Sequence, residues 1–226
     1  TRKLDFARAT GERGIALALA VNGLARKDVE IVDIDNPDNP SFTPVQTPAE
    51  LWAHARKSRG WARAEIRALE EGRVDAIYIN DGRSPSLVET GRFKVIEDLA
   101  LYPDWTLQVA NGPITMAVNT DFAKRHPEVV VGFLRASIRA GRWINANPDA
   151  AIPILLRVTS YTCARQIRRQ IEIGDFDFVP NLSPRNLEAT KIQKDFLLAH
   201  GYQKNDFDVD QWADHQYLEQ ALCSLS

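Results

Sequence analysis

Two short segments of the chain carry side chains of the types that bind small anions. In the first, Thr10 and Gly11 stand where a helix is predicted to begin, which would offer a hydroxyl and free backbone N–H groups. Arg8 and Arg13 flank this helix start and can form charge-assisted hydrogen bonds to a sulfonate, carboxylate or similar oxyanion. A simple helix cap explains Thr10 equally well, so both interpretations stay open.

The second segment is the polar end of an apolar run. Val74–Ile79 predicts a buried strand, and Asn80 and Asp81 follow it directly. Because ligands of open α/β sheets collect at the carboxyl ends of strands, these two residues are candidates for ligand binding in the same cleft. An ordinary loop with Gly82 at the turn is an equally good interpretation. Tyr78 could line an aromatic pocket, although core packing is favoured for it.

No motif of a known catalytic or cofactor site accompanies these residues. The sequence lacks the glycine-rich nucleotide-binding patterns, the H-E-x-x-H and C-x-x-C patterns and the G-x-S-x-G motif. Each of its four histidines falls in a separate predicted element, where a surface or helix-end position is favoured over catalysis. We therefore expect no metal and no cofactor, and we assign no catalytic residue.

Charge and hydropathy exclude several kinds of partner. The 28 basic and 30 acidic residues give a formal net charge of -2, so there is no basic footprint for nucleic acid. The apolar runs are too short to cross a bilayer. Cys163 and Cys223 are neither a disulfide framework nor a metal set; a pair and two buried, reduced thiols both stay open, with the second favoured.

The predicted elements indicate an α/β first half and a mainly helical second half. Apolar runs predict four strands, and caps, prolines and glycines mark the helices. The predicted strands are Val29–Ile34, Val74–Ile79, Phe93–Ile96 and Ile114–Val118. Helices are predicted from Thr10 to Gly23, after Thr47-Pro48, in the stretch that ends at Gly72, from Pro127 to Asn147, from Pro148, over Cys163–Ile173, from Ser183 to Gly201, and in two short pieces at the end.

The order of segments resembles a known family. The motif ALEEGRVDAIYIN, the W-I-N-x-N-P junction at 143–148, and the stretches SPRNLEATK and FDVDQWADHQYLEQAL are similar to periplasmic solute-binding proteins of the nitrate/sulfonate/taurine type. The superfamily also holds thiamine-pyrimidine synthesis proteins. The resemblance implies a two-lobed periplasmic-binding-protein-like (type II) α/β fold. Residues 1–109 would form the second lobe, and residues 110–226 would return to the first lobe and end in helices.

Two further features modify this expectation. Thr1 is not an initiator methionine, so we expect the N-terminal part of the first lobe to precede it. The stretch from Asp35 to Arg63 is an insertion relative to typical transport members, and the aromatic sulfinate desulfinases have a comparable one. Those enzymes resemble the chain there and at D-Q-W-A. They release sulfite with a cysteine nucleophile assisted by histidine and arginine, and this chain has no matching positions for these residues.

The resemblance implies two alternative functions. The first is a solute-binding protein of an ABC-type uptake system, which captures a small organic anion between its lobes and delivers it to a membrane permease. The alternative is a desulfinase-like hydrolase whose nucleophile lies outside this chain. The binder would be periplasmic or membrane-anchored and the hydrolase cytoplasmic, and in both cases a monomer is expected. Thr10, Gly11, Arg13, Asn80 and Asp81 are the predicted ligand-binding residues.

Overall fold

The computed structural model describes most of the chain as helices joined by irregular segments. It describes residues 6–34, 47, 63–79, 84–108, 115–159, 161, 163–172 and 178–225. Single-turn 3₁₀ helices cover Arg26–Asp28, Leu99–Leu101 and Trp105–Gln108. The α-helices in this part of the chain are α1 (Phe6–Val21), α2 (Arg63–Glu70), α3 (Ser84–Glu89), α4 (Thr120–Arg125), α5 (Pro127–Ala146), α6 (Pro148–Val158), α7 (Ala164–Glu172), α8 (Pro184–Ala199), α9 (Val209–Trp212) and α10 (Gln216–Cys223).

The expected α/β class is wrong for this structure. None of the residues that the structure describes lies in a β-strand, although Val29–Ile34, Val74–Ile79 and Phe93–Ile96 are all among them. A strand requires a second segment to complete its backbone hydrogen bonds, and an apolar run does not specify that partner. Val95 and Ile96 are 54% and 72% exposed, so the third run is not buried in a sheet. The two-lobed periplasmic-binding-protein-like (type II) fold is therefore not observed.

The predicted starts of α5 and α8 and the predicted end of α5 are confirmed. The helix α5 begins at Pro127, and the Asn147 backbone N–H bonds back to the Trp143 carbonyl at 2.9 Å, at the predicted end. Helix α8 begins after Ser183, whose hydroxyl accepts a hydrogen bond from the Asn186 N–H at 3.3 Å. These ends are fixed by side chains within one turn of the helix, which explains why sequence alone locates them.

Residues 1–9, 102–148 and 176–226 form one compact unit. In it α5 packs against α4 and α10, and Ile138 and Ala221 lie buried. A second cluster consists of Ala9, Phe196 and Tyr202. Helix α9 contacts α8, and Lys191 Nζ of α8 donates to Asp210 Oδ2 of α9 at 2.8 Å. The helix contacts of this unit thus involve its two long helices α5 and α8.

Residues 10–101 and 149–175 form the other unit. Its buried side chains include Thr10 and Arg13 of α1, Ala68 of α2, Ile152 of α6 and Ile167 of α7. The predicted domain boundary between residues 109 and 110 lies outside the described residues and stays a prediction. In the part of the chain that the structure describes, no helix has the length and apolarity to span a membrane.

We predict that Gly141→Ala destabilises the protein and that Gly132→Ala in the same helix does not. An alanine Cβ at residue 141 would overlap the backbone carbonyl of Phe178, at a cost of about 1–3 kcal/mol. Gly132 has open space beside it, so alanine there adds only helix propensity, up to about 1 kcal/mol. Urea denaturation of both variants measures the difference. Equal free energies of unfolding would mean that the Phe178 backbone does not rest on α5.

Candidate functional site

One face of α1 carries two buried polar side chains. Thr10 is 1% exposed and Arg13 is 9% exposed, and their spacing of three residues places both side chains on the same face of the helix. Gly14 lies one residue further on the same face. Threonine and arginine are mostly exposed residue types, so a face that buries both is unusual for a helix core.

The Thr10 position corrects one part of the sequence interpretation. Helix α1 begins at Phe6, which makes Thr10 the fifth residue of the helix rather than its N-cap. The expected free N–H groups at a helix start are therefore not available there, because the backbone of an interior residue bonds within the helix. Only the side chain of Thr10 is then left as a candidate for ligand binding.

The Thr10 hydroxyl is buried and has no hydrogen-bond partner among the residues that the structure describes. Most threonines inside helices bond to the carbonyl four residues earlier, as Thr190 does with the Asn186 carbonyl at 2.8 Å. A buried hydroxyl that bonds to nothing costs about 1–3 kcal/mol, and natural proteins keep few of them. The hydroxyl is thus a donor and acceptor that a ligand can use.

Tyr78 lies against this face of α1. A Cβ placed on Gly14 would overlap Cε2, Cδ2 and Cζ of the Tyr78 ring, so the ring edge rests directly on the helix backbone. Cζ is the atom that carries the phenol oxygen. The ring therefore fits against α1 at Gly14, and the Tyr78 phenol interacts electrostatically with Arg13 on the same face.

Burial controls the charges in this cluster, which we call the α1 polar cluster (Thr10, Arg13 and Tyr78). It raises the pKa of Tyr78 to about 12, more than the neighbouring Arg13 guanidinium lowers it. Burial also lowers the pKa of Arg13, an effect that the interaction with Tyr78 opposes. At neutral pH the cluster holds a guanidinium cation, a neutral phenol and a neutral hydroxyl. All three groups can donate hydrogen bonds to an anion.

The other predicted site residues have different positions. Gly11, on α1, has open space beside it. Asn80 and Asp81 lie outside the described residues. The Arg8 guanidinium donates a hydrogen bond to the Tyr202 hydroxyl and lies 5.7 Å from the centre of its ring. The structure thus brings Thr10 and Arg13 together and gives Arg8 a separate contact.

The structure also answers the question about the cysteines. Cys163 and Cys223 form no disulfide; Cys163 is half-buried and Cys223 is exposed, so the favoured expectation of two buried thiols is wrong in its burial. No group of three or more histidine, cysteine or acidic side chains among the described residues is arranged to hold a metal ion. The contact between Gly14 and Tyr78 is the feature that sequence reasoning missed, since no local pattern relates residues so far apart. The only available signal was a glycine on the same helix face as Thr10 and Arg13.

Comparisons with known proteins found three curated relatives with one description. They are the 2'-hydroxybiphenyl-2-sulfinate desulfinases of Rhodococcus erythropolis, of Rhodococcus qingshengii and of Rhodococcus erythropolis strain XP. Each is 26% identical to this chain over 224 residues, which are 93% of the chain and 56% of the relative. The chain thus spans about half the length of the curated relatives it matches. No family model and no solved structure matches it.

These matches bear on only one of the two resemblances in the sequence. The similarity to aromatic sulfinate desulfinases is supported, at low identity, across almost the whole chain. The resemblance to periplasmic solute-binding proteins finds no support in the matches, and the fold that it implied is not observed.

We predict that the stability of the protein falls as the pH rises from about 10 to about 12, and that Tyr78→Phe removes this component. The folded protein keeps the Tyr78 proton to about pH 12, whereas an unfolded tyrosine loses it near 10. In this interval the folded state binds more protons, so the free energy of unfolding decreases with pH, by at most about 1.4 kcal/mol per unit. Denaturation of both proteins at about pH 9 and about pH 11 measures the difference. Parallel pH profiles would contradict a buried phenol.

Proposed function

We propose that this chain is part of a desulfinase-like hydrolase that acts on an aromatic sulfinate. The observation that carries the proposal is the similarity to 2'-hydroxybiphenyl-2-sulfinate desulfinases across 93% of the chain. The proposed reaction consumes one water: an aryl sulfinate and water give the arene and hydrogen sulfite. The carbon–sulfur bond breaks, a proton replaces sulfur on the ring, and the water oxygen joins the sulfur. We place the nucleophile outside this chain.

Within that reaction, the proposed task of this chain is to hold the sulfinate group. The α1 polar cluster supports this role because it combines a cation with two neutral donors in a buried setting, where charge-assisted hydrogen bonds are strong. The open space beside Gly11 supports its proposed place near the ligand. Asn80 and Asp81 follow Tyr78 by two and three residues in the sequence. We propose them as further contacts.

The same groups would serve a protein that binds an organic anion and delivers it to a permease. That function would need no water-consuming step, and ligand binding would leave the sulfinate intact. The two functions also differ in compartment, since the binder would act outside the cytoplasm and the hydrolase within it. A turnover measurement separates the two functions directly, whereas a binding measurement by itself does not.

We predict that the protein, produced at its natural full length, releases sulfite from 2'-hydroxybiphenyl-2-sulfinate. The assay follows sulfite and the hydroxybiphenyl product together, because the balanced reaction forms them in equal amounts. The matched control is the corresponding sulfonate, whose sulfur carries one more oxygen. A sulfinate that raises the melting temperature while no sulfite forms would refute the hydrolase and favour the anion binder.

We predict that Thr10→Val weakens the binding of benzenesulfinate by about tenfold while the protein becomes more stable by about 1 kcal/mol. Valine has nearly the shape of threonine, and it removes a buried hydroxyl that has no hydrogen-bond partner in the described part of the chain. Calorimetric titration gives the affinity and urea denaturation the stability.

Thr190→Val is the matched control, because it removes a hydroxyl that bonds to the Asn186 carbonyl. We expect it to lower the stability slightly and to leave the affinity for benzenesulfinate unchanged. If Thr10→Val leaves the affinity unchanged as well, the Thr10 hydroxyl does not contact the anion.

A further inference from the structure

Tyr78 can occupy its position only because residue 14 is a glycine and has no Cβ. The ring atoms Cδ2, Cε2 and Cζ all lie where a Cβ on Gly14 would stand, and Gly14 is an interior residue of α1. Glycine inside a helix lowers stability by about 1 kcal/mol relative to alanine. At Gly14 this cost allows a contact, because only glycine leaves room for the Tyr78 ring.

The contact also determines what the phenol can do. Successive positions on one helix face are three and four residues apart, so Thr10, Arg13 and Gly14 lie along one stripe of α1. A ring that rests edge-on at Gly14 has its hydroxyl-bearing Cζ at this stripe, and the Tyr78 and Arg13 side chains interact electrostatically. The contact with the α1 backbone thus fixes the position of the Tyr78 phenol relative to the Arg13 guanidinium.

We propose that Gly14 is the positioning residue of the anion site and that Tyr78 is an uncharged hydrogen-bond donor to the bound oxyanion. The inference rests on the proposed function, which assigns an aryl sulfinate to the α1 polar cluster, and it adds the residue that positions the Tyr78 phenol in that cluster. The ligand class is an aryl oxyanion whose oxygen accepts hydrogen bonds from Tyr78 and Arg13 together. A tyrosine that keeps its proton at neutral pH donates to an anion without repelling it.

The first part of the test measures the contact itself. Gly14→Ala is made in the natural protein and in a Tyr78→Val background, whose short side chain does not reach the helix. We expect Gly14→Ala to lower the melting temperature by about 5 °C when Tyr78 is present and to leave it level or raise it when valine is present. Gly11→Ala, in the same helix but with open space, controls for helix propensity in the stability measurement.

A Gly14→Ala protein that fails to fold only in the Tyr78 background supports the contact as clearly as a shift in melting temperature does. If the effect of Gly14→Ala is the same in both backgrounds, the ring does not rest on residue 14 and the proposal fails. This part of the experiment involves no ligand, so its outcome is independent of whether the protein binds a sulfinate.

The second part measures the function of the phenol with benzenesulfinate as the probe. We expect Gly14→Ala and Tyr78→Phe each to weaken binding by about tenfold, the effect of one hydrogen bond to a charged group. The remote variant Gly132→Ala should leave the affinity unchanged. Spectroscopic titration adds a readout that mere destabilisation would not change: the phenol should ionise near pH 12 in the natural protein and closer to 10 in Gly14→Ala.

The outcomes separate the two proposals. If the natural protein binds benzenesulfinate and Tyr78→Phe binds it equally well, Tyr78 is not a donor and this inference is refuted while the proposed function stands. If the natural protein binds no sulfinate although the stability measurements confirm the contact, the anion site itself is refuted. If Gly14→Ala weakens binding and Tyr78→Phe reproduces that loss, both proposals are supported.

Discussion

A helix surrounds its backbone with side chains, and another part of the chain can reach that backbone only where a side chain is missing. The edge-on contact of Tyr78 with Gly14 is such a place, and the candidate site depends on it. With any side chain larger than hydrogen at residue 14, the ring would have to move away from α1 and from the stripe that carries Thr10 and Arg13. The contact at Gly14 thereby places the Tyr78 side chain next to Arg13, although the two residues are far apart in sequence.

The electrostatics of the cluster follow from burial more than from the attraction between its members. An isolated Arg13 guanidinium next to a phenolate would lower the pKa of Tyr78, yet the loss of water around the ring raises it to about 12. The same loss of water lowers the pKa of Arg13. A phenol is already neutral at pH 7 with its ordinary pKa, and burial keeps Tyr78 neutral up to a higher pH. The pair therefore holds a cation and a neutral donor side by side, a combination that suits a ligand with a single negative charge.

The sequence predicts the local parts of this structure and misses the non-local ones, for physical reasons that particular residues illustrate. Pro127 and Ser183 determine helix starts through groups within one turn, so their positions could be predicted. The run Val74–Ile79 has the composition of a strand, but a strand needs partners from distant segments, and the described structure supplies none. Thr10 and Arg13 were candidates because a helix start was predicted at Thr10, whereas the helix begins at Phe6. Their burial and the Gly14 contact depend on tertiary packing that no spacing rule contains.

The unpartnered hydroxyl of Thr10 connects this packing to the desulfinase similarity. A purely structural core would gain stability by replacing a buried threonine that bonds to nothing with valine, a change of equal shape. A binding site has a reason to keep it, because a ligand that supplies the missing partner recovers the cost on binding and gains from the preorganised donor. An aryl sulfinate has an apolar ring that tolerates a buried setting and oxygens that accept hydrogen bonds. The local cost at Thr10 is thus an argument for a ligand that forms hydrogen bonds, whereas the proposal of a sulfinate depends on the similarity to the desulfinases.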